Sequence, residues 1–331
     1  MSSYFEGKTI LVTGGTGSFG QKITEILLNE CSPKRIRIYS RGELMQNQMS
    51  QKFNDSRISF LIGDVRDRNR LYRAMAGVDI VIHAAAMKQV PACEYNPIEA
   101  VKTNIEGTIN LIDAAVDNGV DKVMLISTDK AVHPVNLYGA TKMVAEKLGI
   151  QGNSYSGGKK PYFSCVRYGN VIGSRGSVIP LFIEQRKSGT ITITDDKMTR
   201  FWISLDQGVR FVMKSIEIMN GGEIFIPKIP SMRLIDLADA IAPDAKKTYV
   251  GIRPGEKLHE VLLTEDEARH AKEIDLGYII EPEHRFWNEN AHCGGKPLPD
   301  GFRYSSDMNS VWLSNEDLKK IIALDGPTIN K

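Results

Sequence analysis

The chain has 331 residues, room for about two domains at the usual ~150 residues each. Its 42 Lys and Arg against 40 Asp and Glu leave a formal charge of +2, which argues against nucleic-acid binding through massed phosphate contacts. A hydrophobic share of 42% with 25% charged residues is that of an ordinary globular protein and excludes disordered or collagen-like chains. Cys31, Cys93, Cys165 and Cys293 lie far apart with no CxxC pair, so free thiols in a cytoplasmic setting are expected, with no metal site. Residues 1–8 do not read as a signal peptide, and no apolar run approaches the ~18 residues that cross a bilayer, so no membrane association is expected.

The first half alternates β-branched runs with helical patterns. The runs are Thr9–Thr13, Arg35–Tyr39, Ile58–Ile62, Asp79–His83, Lys122–Ser127 and Tyr162–Tyr168. Several are nearly continuous in apolar residues, as strands covered on both faces should be. Between them Phe19, Ile23, Ile26 and Leu27 recur at helical spacing, as do Val101, Ile105, Ile109 and Ile112. This rhythm predicts an α/β fold with a Rossmann-type doubly wound parallel sheet. After Tyr168 the rhythm changes: Gly173–Ser177 reads as a loop, Thr190–Ile193 as part of a small separate sheet, and Pro and Gly become denser. The expected division is a large domain of residues 1–168, with about 201–226 returning to its sheet. A smaller C-terminal α/β domain is expected from 169–200 and 227–331, its loop-rich tail starting near Arg285 and ending in a helix at Asn315–Ala323.

Gly14, Gly17 and Gly20 form G-x-x-G-x-x-G between the first strand and the first helix. Small residues there let the backbone approach a pyrophosphate, and the helix N-terminus offers free N–H groups and a positive dipole end. A ligand-free tight turn would need the same glycines, but strand, triplet and helix together favour a dinucleotide. This spacing resembles that of the short-chain dehydrogenase/reductase superfamily, which implies cofactor contacts from Gly14, Thr16, Gly17, Ser18, Phe19 and Gly20. Where an NAD site usually carries a ribose-binding carboxylate, the second strand ends Tyr39-Ser40-Arg41-Gly42-Glu43. Ser40 and Arg41 suit a 2′-phosphate and favour NADP; in the other reading Arg41 is a solvated charge and Glu43 binds the ribose. On the same resemblance Asp64 and Val65 meet the adenine, Ala84, Ala85 and Ala86 lie along the cofactor, and Val171 borders it. His83 reads as a packed strand-end histidine.

Tyr138 and Lys142 are one helical turn apart, so their side chains share a face. Such a pair is common on helices. The superfamily resemblance makes Tyr138 a base whose pKa is lowered by a lysine ammonium, with Lys142 on the cofactor ribose and Thr128 as the partner hydroxyl. Asp129-Lys130 goes beyond what simple reductases and 4-epimerases need, and as an added acid and amine it is suited to eliminating water. A bare surface ion pair is the alternative.

The stretch Ser127-Thr128-Asp129-Lys130-Ala131-Val132-His133-Pro134, followed by Tyr138-Gly139-Ala140-Thr141-Lys142, resembles the UDP-N-acetylglucosamine 4,6-dehydratases. Met87–Pro91, Arg167–Val171 and Arg253–Lys257 extend the similarity, and Tyr138 points to the C5-inverting group of pseudaminic acid biosynthesis; Gly42 departs from the Asp expected there. The resemblance implies that Tyr138 takes the C4 hydroxyl proton, Lys130 the C5 proton, and that Asp129 protonates the leaving C6 hydroxyl. Thr128 would orient O4, and NADP would be recycled within each turnover. Lys130 is then expected to have a depressed pKa. UDP-sugar contacts are implied for Lys88, Thr128, Asn170, Val178, Thr192, Arg200, Arg253 and Glu256, making the smaller domain the substrate domain; on residues alone Arg200 and Arg253 read as surface arginines. A homo-oligomer is implied, the helix around Pro97–Asn118 being the candidate interface. Four other readings stay open: a C5-retaining dehydratase, an enzyme that also epimerises C5 of its product, a nucleotide-sugar 4-epimerase, which would not need Asp129-Lys130, and a non-catalytic NADP-binding sensor.

Overall fold

Residues 3–157, 159–173, 178–284 and 294–321 are described by the structure, a computed structural model. The first six strands follow the apolar runs closely: β1 (Thr9–Thr13), β2 (Arg35–Ser40), β3 (Ile58–Ile62), β4 (Ile80–His83), β5 (Lys122–Ile126) and β6 (Tyr162–Val166). Every residue of β1 and β4 is buried, because helices cover both faces of the sheet. Eleven further strands follow among the described residues. They are β7 (Asn170–Val171), β8 (Thr190–Ile193), β9 (Thr199–Ile203), β10 (Ile224–Ile226), β11 (Ser231–Arg233), β12 (Lys246–Tyr249), β13 (Val261–Leu263), β14 (Ala271–Ile274), β15 (Gly277–Ile280), β16 (Lys296–Pro297) and β17 (Tyr304–Ser305).

The large sheet runs β16-β14-β15-β10-β6-β5-β4-β1-β2-β3. Its β3-β2-β1-β4-β5-β6 portion is parallel and has the Rossmann order, reversing between β1 and β4. The chain at Ile224–Ile226 pairs with this sheet, β10 lying parallel to β6. The sheet also takes β14, β15 and β16 in antiparallel pairs, so the 227–331 segment is shared between the two layers. The remaining strands form three small sheets, β11-β9-β7, β12-β8 and β13-β17, with a second core of Ile191, Ile193, Trp202 and Leu237 among others. Helical residues 315–321 follow the expected terminal pattern, and Leu318 joins that second core. The Ser174–Ser177 loop, Arg285, Cys293 and the end of the terminal helix lie outside the described residues.

The helices are α1 (Ser18–Glu30), α2 (Glu43–Phe53), α3 (Arg68–Met75), α4 (Val90–Tyr95), α5 (Pro97–Val101), α6 (Gly107–Asp117), α7 (Leu137–Tyr155), α8 (Val178–Arg186), α9 (Leu205–Ile218), α10 (Leu234–Ile241) and α11 (Glu265–Ala268). The helical stretch read from Pro97 to Asn118 is not one regular α-helix: a π-helical turn, Lys102–Glu106, separates α5 from α6. Within that turn Asn104 accepts from the Met87 N–H at 2.8 Å and donates to the Met87 carbonyl and to Thr141 Oγ1, both at 2.9 Å. Cys31, Cys93 and Cys165 are free and buried. Among the described residues no helix is long and apolar enough to cross a membrane.

Arg167, just after β6, ties three segments together in the interior. Its guanidinium donates to Glu146 of α7 at 2.9 and 2.7 Å, and pairs with Glu267 of α11 at 2.8 Å. Replacing one partner of such a pair leaves a buried charge short of compensation. Glu146→Ala is therefore expected to lower stability by about 3 kcal/mol in urea denaturation.

Candidate active site

The carboxyl ends of the parallel strands open into a cleft of about 1190 Å³ whose far wall comes from the smaller sheets. This is where an open α/β sheet binds ligands, at the reversal between β1 and β4. Nearly all residues expected at a cofactor or substrate line it, from Gly14 at one end to Arg253 and Glu256 at the other. Gly20, Glu43 and Asp129 do not line it.

Gly14 adopts φ +66°, and a Cβ there would stand 2.9 Å from the backbone of Ala84 and Ala85. At Gly20 a Cβ would be 2.3 Å from the Gly15 carbonyl, so this glycine acts by letting α1 close on the loop and has no wall of its own in the cleft. Gly17 is the N-cap of α1 and supplies no capping side chain, leaving the first-turn N–H groups to face the cleft. A glycine cradle that any side chain would fill, leading into an uncapped helix end, fits a dinucleotide pyrophosphate.

After β2, Ser40, Arg41 and Gly42 line the cleft, while Glu43 starts α2 outside it. Arg41 is 3.9 Å from Asp64, whose carboxylate is held by Arg66 at 2.6 Å. Burial alone would raise the Asp64 carboxyl, but the Arg66 guanidinium outweighs it and holds it low. His83 is packed as expected: its Nδ1 lies 2.8 Å from Thr13 Oγ1, and burial, with Lys142 nearby, pulls its pKa down to about 3.

The segment after β5 and the start of α7 form the floor. Asn136 caps α7 by accepting from the Gly139 N–H at 2.7 Å. Gly139 lies so close to the strand-end segment that a Cβ would be 2.1 Å from the Lys130 carbonyl. This brings Tyr138 against Thr128-Asp129-Lys130. Thr128 Oγ1 donates to Asp129 Oδ1 at 2.9 Å, and Lys130 Nζ donates to the same oxygen at 3.0 Å. Asp129 is 0% exposed and Lys130 26%, so the ammonium reaches the cleft over a carboxylate sealed beneath it. The Asp129 Oδ2 atom is buried and accepts no hydrogen bond.

Two electrostatic expectations are corrected here. Burial pulls the Lys130 ammonium down, yet the carboxylates of Asp129 and Glu260 outweigh it and hold its pKa above the ordinary lysine value. Tyr138 is not lowered; burial pushes it up to about 12, with Lys130 the main opposing charge. Lys142 is itself lowered by burial, against Cys165 and Glu146. The cation that bears on the phenol is therefore Lys130.

On the far wall, Asn170 Oδ1 accepts from Lys130 Nζ at 3.4 Å. Arg200 lines the cleft, but its donors serve the Thr199, Lys257 and Leu258 carbonyls at 2.7, 2.9 and 3.1 Å. It is thus a buried wall-forming arginine as well as a source of positive charge. Thr192 Oγ1 accepts from Gln185 at 2.9 Å, and Val178 opens α8. Arg253 is half-exposed and 3.7 Å from Glu256, whose Oε2 is buried without a hydrogen bond. Residues not anticipated from sequence are Asn104, Asn136, Gly139, Lys257 and Glu260. Only the glycine inside the Tyr138–Lys142 motif and the extension of Arg253–Lys257 to Glu260 mark any of them in the chain.

The family model described as polysaccharide biosynthesis protein matches residues 10–282. An inverting UDP-N-acetylglucosamine 4,6-dehydratase of Campylobacter jejuni subsp. jejuni serotype O:23/36 (strain 81-176) is 51% identical over 327 residues, 96% of this chain and 98% of that one. A UDP-glucose 4-epimerase of Rickettsia bellii (strain RML369-C) is 44% identical, with 96% of each covered. Among solved structures, Pen from Bacillus thuringiensis superposes with a TM-score of 0.89 at 39% identity, covering 98% of this chain and 99% of that one. The dTDP-glucose 4,6-dehydratase DesIV of Streptomyces venezuelae, with NAD and TYD bound, shares the fold at a TM-score of 0.68 and 24% identity, over 76% and 86%.

Two outcomes check this geometry. Gly20→Ala is expected to weaken nicotinamide dinucleotide binding about tenfold or more in fluorescence titration, because the loop must move. The His83 ring should show no NMR titration between about pH 5 and pH 8. From its sequence match, its parallel sheet and its cleft, the chain belongs to the polysaccharide biosynthesis protein family, alongside the inverting UDP-N-acetylglucosamine 4,6-dehydratases.

Proposed function

We propose that this chain is a hydro-lyase acting on UDP-N-acetylglucosamine, removing water across C5 and C6 with transient oxidation at C4 and inversion at C5. The observation that carries this reading is the Asp129–Lys130 pair, in contact at 3.0 Å, with Lys130 lining the cleft beside Thr128 and Tyr138 and Asp129 sealed directly beneath it. A 4-epimerase has no use for that pair. A nicotinamide dinucleotide held along the Gly14–Phe19 turn and by Lys142 would supply the acceptor for the C4 hydride and its return to C6.

The residues do the proton work. Tyr138 takes the O4 proton, with the Thr128 hydroxyl orienting O4. Oxidation at C4 acidifies C5–H, which Lys130 removes, and Asp129 protonates the departing O6. For those roles the pair needs one proton, carried by Asp129. The resting arrangement has it on Lys130, so one transfer across the 3.0 Å contact converts an ion pair into a working acid and base. The alternative product with C5 retained uses the same groups.

NADP is the proposed cofactor, since Ser40 and Arg41 line the adenosine end of the cleft and Glu43 does not. Arg253, Glu256 and Asn170 are proposed to hold the UDP moiety, Glu256 through its unpartnered oxygen. Helices α4 to α7 pack together and expose Tyr95, Ile98, Ile109 and Met143, which supports a homo-oligomer through this face. Free, buried thiols suit the cytoplasm, and a C5-inverted 4-keto sugar suits pseudaminic acid synthesis.

Time-resolved proton NMR in D₂O with UDP-N-acetylglucosamine tests the reading. A 4-keto-6-deoxy product carrying deuterium at C5 with L-arabino couplings is expected. Unchanged C6 hydroxymethyl signals would overturn dehydration, and a D-xylo product would overturn inversion. Tyr138→Phe should lower kcat by about 10²–10⁴-fold. Arg41→Ala should weaken NADP about tenfold while leaving NAD within about threefold, by fluorescence titration.

A further inference from the structure

Glu260 stands immediately before β13, far along the chain from the other reacting groups, and only 2% of it is exposed. Its Oε1 lies 3.6 Å from Lys130 Nζ and 3.8 Å from Arg200 Nε, and its Oε2 lies 3.7 Å from Lys257 Nζ. No hydrogen bond reaches the buried Oε2. A carboxylate taken out of water on these terms is retained only where surrounding charge compensates it. All three of its cations also bond elsewhere: Arg200 donates to backbone carbonyls, Lys257 Nζ to the Val132 carbonyl at 2.5 Å, and Lys130 Nζ to Asp129 Oδ1 at 3.0 Å. Lys130 and Arg200 line the cleft, and Lys130 is the one in contact with Asp129.

The charged surroundings of Lys130 Nζ are thus Asp129 on its own segment, Glu260 before β13, Arg200 on β9, Lys257 in the loop ahead of Glu260, and the Tyr138 phenol on α7. Asp129 is one residue away along the chain and cannot by itself fix where a long lysine side chain points. Glu260 approaches the same nitrogen to 3.6 Å from a separate segment, and Asn170 Oδ1 accepts from it at 3.4 Å.

We propose that Glu260 is a positioning residue for the reaction: it anchors Lys130 Nζ over the cleft floor and keeps the working proton within the Asp129–Lys130 pair. The inference rests on the reading of Lys130 as the C5 base and Asp129 as the acid. The proton is neither created nor lost in this role. It moves from Lys130 to Asp129 before elimination, and Glu260 opposes its escape to solvent, because removing it would leave two carboxylates facing a neutral amine. Two facing carboxylates without the cation disfavour that state, as like charges do at close range.

The test compares wild-type holoenzyme with Glu260→Gln, which keeps size and hydrogen-bonding capacity and removes the charge. In Glu260→Gln the alkaline limb of kcat, and of deuterium incorporation at C5, should move to lower pH by about one unit or more, with KM within about threefold. A lower kcat at every pH with the limb unmoved would overturn the proposal in favour of a merely structural role. Nζ NMR of Lys130 in the wild-type protein, assigned against Lys130→Met, supplies a check that needs no folded Glu260 variant. A Lys130 titration above about 10.4 is expected, and one below it would overturn the proposal. Lys130→Met separates this from the underlying reading, since it should abolish C5 exchange. Retained exchange there refutes the base assignment, whereas lost exchange with an unmoved Glu260→Gln limb refutes the role of Glu260 alone.

Discussion

Gly139 lies against the carbonyl of Lys130 with no room for a Cβ, which would stand 2.1 Å from the oxygen. That close approach lets α7 settle onto the chain leaving β5, and it sets Tyr138 beside Thr128 and Lys130. The same helix carries Lys142 one turn on and Glu146 one turn further, where Arg167 anchors it to the end of β6 and to α11. Tyr138 and Lys142 thus stand on a long helix clamped at both its N-cap and its middle, facing Thr128 and Lys130 on the neighbouring strand end. Rigid support of this kind is what holds proton-transfer groups at working distances.

The charges in the floor are arranged in depth. Asp129 is sealed, Lys130 covers it, and Glu260 closes the cluster from behind with Arg200 and Lys257. Such a cluster costs desolvation, and its members compensate one another only together. Its effect on Tyr138 is indirect: the phenol is raised by burial and by Asp129, while Lys130 offsets part of that rise. Asp129, Lys130 and the Tyr138 phenol are one coupled set, and a change at any one of them is felt by the other two.

Much of this was legible in the chain because it is local. The six parallel strands are β-branched runs, several of them nearly continuous in apolar residues, and the glycine triplet, Thr128–Lys130 and the Tyr138–Lys142 spacing are each contained within a few residues. Contacts between distant segments were not. Nothing near Glu260 in sequence reveals that it meets Lys130, and the π-turn at Lys102–Glu106 hides within an ordinary helical pattern until Asn104 is seen bonding Met87 and Thr141. The direction of the Lys130 shift differs from the expectation because burial is outweighed by the adjacent Asp129 together with Glu260, and the second of these carboxylates comes from 130 positions away. The three strands β14 to β16 extend the large sheet from a stretch whose composition reads as part of the smaller unit, since short antiparallel strands of two to four residues carry little apolar signal.

Asn136 uses both ends of its amide: the oxygen caps α7, and Nδ2 donates to the carbonyl of Gly255 at 2.8 Å. The loop of residues 253–256 is therefore fastened to the helix through its backbone, at a glycine whose φ of +78° and tight fit against Asn136 exclude a side chain. A tether to main chain places no demand on neighbouring side chains. Positions 253, 254 and 256 can be rewritten by drift or by selection without unfastening the loop, so the far end of the cleft can change its lining while the helix bearing the phenol keeps its place.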